Sequence, residues 1–143
     1  MEFTAPRTPQ QNGLVERSFA FLYNRVRAML NQARFSPDLL QLLWAECCHS
    51  ALQIDNLMSK DKQVSSHEVY YGYKSNKAIG LHPFGELAVI KMADKHQSKL
   101  KNKGMLVIYL GIADQHCSKT FRFLNVKTQK IVLSRDIQWQ DRF

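Results

Sequence analysis

The chain has 143 residues, of which 45% are hydrophobic and 22% are charged, and its formal net charge is +8. This length is enough for one ordinary domain, or two small ones, with a buried core. Six glycines and four prolines are too few for a collagen-like or low-complexity chain. No apolar run is long enough to span a membrane, and the start of the sequence lacks the features of a secretory signal. The three cysteines, two of them adjacent, do not form a disulfide framework. We therefore expect a soluble, intracellular protein without a membrane partner.

The positive charge is concentrated in the second half of the chain. Residues 1–66 carry seven basic and six acidic side chains and residues 67–143 carry thirteen and six, so the two parts have net charges of +1 and +7. Five of these basic residues follow one another closely: Lys91, Lys95, Lys99, Lys101 and Lys103. Such a segment attracts nucleic-acid phosphates by counterion release without reading sequence. A solvated surface loop is the alternative, because lysine runs are common on surfaces.

The first half of the chain is predicted to form two helices. Thr8 is expected as the N-cap of the first helix, followed by Pro9 at the first helical position. Gly13 lowers the helix propensity of the first turns. An apolar stripe then recurs every three or four residues: Val15, Phe19, Leu22, Val26, Met29 and Ala33. The helix should end near Phe35, because Ser36-Pro37-Asp38 is a start signal. A second helix is predicted from there to Met58.

The second half is predicted to be rich in strands. A polar connector at 59–66 and a short helix at 67–72 precede them. Strands are expected at 87–92, 105–110, 120–126 and 130–139, with a hairpin turn at Lys127-Thr128-Gln129. Short antiparallel strands at this spacing indicate a small β-barrel. We therefore predict an α+β fold: a helical part at 1–66, a connector at 67–83 and a small basic β-barrel at 84–143.

Several side chains could carry chemistry or recognition. Glu16, near the start of the first helix, is kept ionised by the helix dipole, which suits a metal ligand, although a surface glutamate is the alternative. The adjacent Cys47 and Cys48 lack the two-residue gap of a zinc site. Trp44 and Trp139 are expected to be core or barrel-edge aromatics rather than base-stacking platforms. Arg135 and Asp136 are expected as paired surface charges on a strand.

A longer pattern surrounds Glu16. The segment Thr4-Ala5-Pro6-Arg7-Thr8-Pro9-Gln10-Gln11-Asn12-Gly13, followed by Val15-Glu16-Arg17, resembles the sequence around the last catalytic acid of copia-type retrotransposon integrases. The resemblance covers nearly the whole chain in the family's order, through Trp44-Ala45-Glu46, His82-Pro83-Phe84-Gly85, Ser98-Lys99-Leu100, Tyr109-Leu110-Gly111 and Ser134-Arg135-Asp136-Ile137. The first ten residues are its most specific part.

This resemblance implies a DNA strand-transfer enzyme of the ribonuclease H-like fold, in which three acids hold two magnesium or manganese ions. Glu16 matches the third acid. Gln10, Gln11 and Asn12 match a mobile loop that approaches the DNA end, and Arg7 and Arg17 would face the DNA backbone. The helices would then form the C-terminal part of the catalytic core, and the barrel would follow it. DNA and the remainder of a Pol polyprotein are the implied partners, and the nucleus or a virus-like particle is the implied location.

The first two acids of that family are aspartates on strands well upstream of the glutamate. Only fifteen residues precede Glu16 in this sequence, and none is an aspartate. Asp38, Asp55 and Asp61 do not have the family position. Because a single carboxylate cannot organise two ions, we expect the isolated chain to be inactive and to need no cofactor.

Three hypotheses remain open at this point. The first is that the chain is a fragment of an integrase that is inactive alone. The second is that it is a sequence-tolerant nucleic-acid-binding module or a degenerate retroelement remnant. The third is that it is a structural unit that mediates contacts in an assembly, including a homo-oligomer. In each case the apolar stripe of the first helix must pack on the second helix or remain exposed. We expect the barrel to be the better-ordered part.

Overall fold

The structure, a computed structural model, describes residues 12–58, 64–91 and 104–140. Helices come first: α1 (Gly13–Ala33), α2 (Pro37–Leu57), α3 (Ser66–Tyr71) and a short 3-10 helix (Asn76–Gly80). Five strands follow: β1 (Leu87–Lys91), β2 (Gly104–Ile112), β3 (Phe121–Asn125), β4 (Ile131–Ser134) and β5 (Ile137–Trp139). The predicted α+β class is therefore confirmed. Within the described ranges, no helix is both long and apolar enough to cross a membrane.

The junction between α1 and α2 has the predicted position. Arg34 ends α1 in a left-handed conformation with φ 53°, and its backbone N–H donates to the carbonyl of Asn31 at 3.3 Å. Ser36 is the extended N-cap of α2, and Pro37 occupies the first turn, where a missing N–H costs no hydrogen bond. At its other end α1 begins at Gly13. The predicted cap Thr8 lies outside the described residues.

The five strands form one antiparallel sheet in the order β4-β3-β2-β1-β5. The prediction of one strand at 130–139 is wrong. Residues 131–134 pair with β3 at one edge of the sheet, whereas residues 137–139 pair with β1 at the other edge. Arg135 and Asp136 connect these two edges, so they are not on a strand, contrary to the prediction. The predicted hairpin turn between β3 and β4 is confirmed, since the Asn125 side chain accepts hydrogen bonds from the backbone of Lys127 and Thr128.

The sheet must curl strongly, since the two-residue connection between β4 and β5 can join opposite edges only if those edges lie close together. No backbone pairing joins β4 to β5 in the part of the chain that is described, so the sheet is not closed. The prediction of an antiparallel β-domain is thus confirmed as a sheet, whereas its closure into a barrel is not. Gly111, with φ 143°, lies at the irregularity in the pairing of β2 with β3 and lets β2 bend there.

The two faces of the sheet belong to different apolar clusters. Side chains alternate along β2, so that Ile108 and Leu110 face the helices while Val107 and Tyr109 face the inside of the curl. The helix-facing cluster also contains Val26, Leu43, Cys47, Ala51, Phe84 and Leu124. The inner cluster contains Ala88, Ile90, Ile112, Phe121 and Phe123, with Trp139 packed against it. Helices and sheet therefore share a core.

The apolar stripe of α1 is packed along one half of the helix and exposed along the other, so both expected alternatives occur. Val26 is buried between the helices and the sheet, whereas Val15 and Phe19 are each 53% exposed. The C-terminal half of α1 is thus packed, and the N-terminal half leaves an apolar face uncovered. Trp139 packs against the inner cluster from the edge strand β5, as predicted for a core or edge aromatic. The same prediction is wrong for Trp44, which is 53% exposed on α2.

Candidate nucleic-acid interface

The predicted metal ligand Glu16 lies in the first turn of α1, with an exposed side chain. Asp38 lies in the first turn of α2, and the Asp55 carboxylate forms an ion pair with Arg25. No three His, Cys, Asp or Glu side chains converge anywhere in residues 12–58, 64–91 and 104–140. The described residues therefore do not fit a site for two metal ions, and we assign no metal chemistry to them.

The cysteines do not offer a reactive or ligating thiolate on α2. Cys47 is fully buried against α1, where its thiol lies 3.8 Å from the carbonyl oxygen of Val26. Burial, with a smaller contribution from Cys48, raises the pKa of Cys47 from 9.0 to about 12. Because the thiolate is the nucleophile and the metal ligand, Cys47 is a packing residue. Cys48 and Cys117 are also free thiols.

The predicted DNA-contacting residues are only partly described. Asn12 and Arg17 are exposed at the N-terminal end of α1, and Lys91 is exposed at the end of β1. Arg7, Gln10 and Gln11 lie outside the described residues, as do Lys95, Lys99, Lys101 and Lys103. The structure does not bring Arg17 and Lys91 into one site.

Lys91 does lie in a cleft with other polar and basic side chains. Pairing of Ile137 with Ile90 places the β4–β5 connection beside the end of β1. The loop after β2 reaches the same place, which leaves a shallow cleft of about 440 Å³, the basic cleft. It is lined by Lys91, His116, Cys117, Thr120, Leu133, Ser134, Arg135 and Asp136. Two permanent cations, an imidazole and two hydroxyl groups thus face one space, against one carboxylate.

The remaining predicted lysines lie between Lys91 and Gly104 in the sequence, and these two residues are paired at the end of the β1–β2 ladder. The four lysines themselves are outside the described residues, so their contribution to nucleic-acid binding stays a prediction.

A second hollow, the tyrosine pocket, lies where α2, α3 and the end of β2 meet. Its volume is about 710 Å³, and its lining includes His67, Tyr70, Tyr71, Lys77 and Asp114. The rings of His67 and Tyr71 have centroids 4.6 Å apart, and those of Tyr70 and Tyr71 are 4.8 Å apart. The Nδ1 atom of His67 is shielded from solvent and has no hydrogen-bond partner among the residues that the structure describes.

A hydrogen-bonded network forms one side of the tyrosine pocket. The Gln53 amide donates to the Asp114 carboxylate at 2.7 Å, and His49 Nε2 lies 3.2 Å from the same oxygen. Lys77 Nζ donates to the Asp114 carbonyl at 3.2 Å and lies 3.8 Å from its carboxylate. Asp114 is therefore an oriented acceptor whose charge is balanced by a lysine.

Sequence reasoning did not identify either site as a unit. The basic cleft depends on pairing between residues far apart in the chain, which no local pattern reveals. For the tyrosine pocket a signal was present, because Tyr70-Tyr71-Gly72-Tyr73 places three aromatic residues in four positions. Only a short helix was predicted there.

Comparison with known proteins supports a retroelement origin. Residues 86–142 match the family model described as the retroviral polymerase SH3-like domain. The chain is also 27% identical to the "Retrovirus-related Pol polyprotein from transposon TNT 1-94" of Nicotiana tabacum, over an alignment of 144 positions. That alignment covers 98% of this chain but 10% of the relative, so the chain spans about a tenth of the curated protein it matches. No solved structure matches significantly. The two matches relate this chain to a region of retrotransposon Pol polyproteins.

Proposed function

We propose that this chain is the part of a copia-type integrase that joins the end of the catalytic core to the following SH3-like domain. In this proposal the chain binds nucleic acid through the basic cleft. The observation that carries this proposal is the convergence of Lys91, His116 and Arg135 at one end of a β-domain that matches the retroviral polymerase SH3-like model. Cations at such a site contact phosphates, which positions a duplex without reading its sequence.

The chain alone is not proposed to transfer DNA strands. Glu16 is a single exposed carboxylate, and no second acid converges on it among the residues described. Two-ion catalysis needs further carboxylates, which the described residues do not bring to Glu16. The uncovered apolar face of α1 fits the same proposal, since it offers a packing surface to the remainder of the polyprotein.

The proposal is tested by measuring duplex DNA affinity against salt concentration by fluorescence anisotropy. The logarithm of affinity should fall linearly with the logarithm of salt, and the slope should be the same for unrelated sequences. Lys91→Gln with Arg135→Gln should weaken binding, and the salt slope should fall by the amount that corresponds to about two lost phosphate contacts. Replacing Lys95, Lys99, Lys101 and Lys103 by Gln should remove most of the remaining affinity.

A matched control removes the same charge elsewhere. Arg27→Gln with Arg34→Gln takes two exposed cations from α1, so the net charge falls equally. This variant should retain the affinity and the salt slope of the wild-type chain. Equal losses in both double variants would mean that net charge alone drives binding, and the assignment to the basic cleft would be wrong.

A further inference from the structure

We propose that the tyrosine pocket receives an unpaired nucleobase of single-stranded nucleic acid. This inference rests on the proposed nucleic-acid-binding function and assigns it a second contact of different chemistry. The basic cleft binds phosphates, which every nucleic acid has. The tyrosine pocket offers ring faces and hydrogen-bonding groups, which a base can use only when it is unstacked.

The accessible rings are the first argument. Tyr70 is 81% exposed and Tyr71 is 57% exposed, although both belong to a short helix packed beside α2. Folded proteins generally use aromatic side chains to bury area, so tyrosine rings that stay this exposed leave part of their surface open for stacking. Base stacking on aromatic side chains is the common device of single-strand binders, because every base has a π-face.

The polar lining is the second argument. The pocket contains the amides of Asn56 and Gln115, which each present a donor and an acceptor suited to a base edge. The His67 ring also lines the pocket and lies beside the tyrosine rings, with its centroid 4.6 Å from that of Tyr71.

The position of the pocket relative to the basic cleft is the third argument. The loop after β2 lines both spaces, since Asp114 and Gln115 line the tyrosine pocket while His116 and Cys117 line the basic cleft. The two hollows therefore border the same loop. In this proposal, a strand whose phosphates lie in the cleft continues past this loop and places a base in the pocket.

The test compares a short fluorescein-labelled single strand with a duplex of equal length, using the full chain. Tyr70→Ala with Tyr71→Ala should lower single-strand affinity roughly 5- to 150-fold, the range that base–aromatic stacking supplies. Duplex affinity should not change, because its bases stay stacked. Tyr70→Phe with Tyr71→Phe keeps the ring faces and should restore single-strand binding. Tyr70→Ala alone, at a highly exposed position, keeps the test valid where the double variant is unstable.

Matched controls separate this inference from the proposed function. Val69→Ala removes an exposed apolar side chain from the same helix outside the pocket lining, and should leave single-strand affinity unchanged. Lys91→Gln with Arg135→Gln should weaken duplex binding, while cytidine monophosphate still shifts the NMR signals of His67 and Tyr70. Inorganic phosphate at the same ionic strength should not produce those shifts.

Two outcomes would overturn the inference. If the tyrosine variants leave single-strand binding unchanged, the aromatic surface does not bind bases and is a protein contact instead. If they weaken single-strand and duplex binding equally, the tyrosines support the fold of the cleft and not a base. Failure of the Lys91 and Arg135 variant to affect the duplex would contradict the proposed function while leaving this inference standing.

Discussion

The side chain of Gln53 on α2 takes the place of a strand partner for Ile112 at the end of β2. Its Nε2 donates to the Ile112 carbonyl at 2.9 Å, and its Oε1 accepts from the Ile112 N–H at 3.2 Å. The β1–β2 ladder stops at Ile108, so no described strand pairs with these backbone groups on that side. Gly111 makes the approach of the helix possible, because a Cβ there would lie 3.0 Å from Gln53 Oε1. One amide thus fixes α2 on the sheet and orients Asp114.

Gln53→Ala should destabilise the protein by about 1–3 kcal/mol, because it leaves a partly buried backbone N–H and carbonyl without partners. Urea denaturation followed by circular dichroism measures this change. Gln41→Ala, at an exposed position on the same helix, is the matched control and should change stability by less than about 0.5 kcal/mol. Equal effects in the two variants would show that the amide does not join α2 to β2.

A second link between helices and sheet is the ion pair of Glu46 with Arg122. The Arg122 Nη2 atom lies 2.9 Å from Oε1 and 2.8 Å from Oε2 of Glu46, and both side chains are about three-quarters buried. Removing either partner should cost about 1–2 kcal/mol, since a charge-assisted bond is lost at a partly desolvated site. A double-mutant cycle with Glu46→Gln and Arg122→Met should give a positive coupling energy. Additive single-variant effects would contradict the pairing.

Alkaline pH should destabilise the fold through groups that are buried in the neutral form. Burial raises the pKa of Cys47 from 9.0 to about 12. Burial also raises the pKa of Tyr109 from 10.0 to about 12, with the nearby His82 backbone opposing the rise and the charge of Glu86 adding to it. Between the unfolded and folded values only the unfolded state loses the proton, so stability falls as pH rises. The stabilisation is complete below about pH 9 and is lost toward pH 12.

The contribution of Cys47 to this loss can be isolated. Each group adds a slope of up to about 1.4 kcal/mol per pH unit in its window. Cys47→Ala should flatten the fall in stability between pH 9 and pH 12, even though the variant starts from a lower value at neutral pH. Cys117→Ser, at an exposed thiol, should keep the wild-type slope. Parallel curves for all three proteins would show that burial of Cys47 does not couple to pH.

The uncovered face of α1 should cause self-association in the isolated chain. Leu14, Val15, Phe19 and Phe21 are exposed, and with Leu52 of α2 they line an apolar groove of about 770 Å³. Analytical ultracentrifugation should show a concentration-dependent dimer or larger species. Leu14→Ser with Phe21→Ser should shift the equilibrium to monomer, whereas Ile79→Ser, an exposed apolar residue elsewhere, should not. A wild-type chain that stays monomeric would contradict this expectation.

Local patterns predicted the helices well because their signals are local. Ser36 and Pro37 mark the start of α2 by their own backbone preferences, and the structure has the helix start there. The strand predicted at 130–139 failed for the opposite reason. Its residues all suit extended backbone, and only the pairing of β4 with β3 and of β5 with β1 shows that Arg135 and Asp136 interrupt it.

The candidate sites were less predictable than the fold. Lys91 was identified from the lysine run, but only long-range strand pairing places His116 and Arg135 in the same cleft. Trp44 and the tyrosines of α3 show a related difficulty. Composition indicates that an aromatic residue prefers burial, but only the packing of the elements decides which aromatic residue finds a partner.

The most direct test of this account is to add a short duplex DNA to the uniformly ¹⁵N-labelled chain and record amide chemical-shift changes. The largest changes in the described part of the chain should surround Lys91, His116 and Arg135, and they should shrink as salt is added. The amides of α1 and α2 that face the sheet should not move. Changes centred on α1, or no changes at low salt, would contradict the assignment of nucleic-acid binding to the basic cleft.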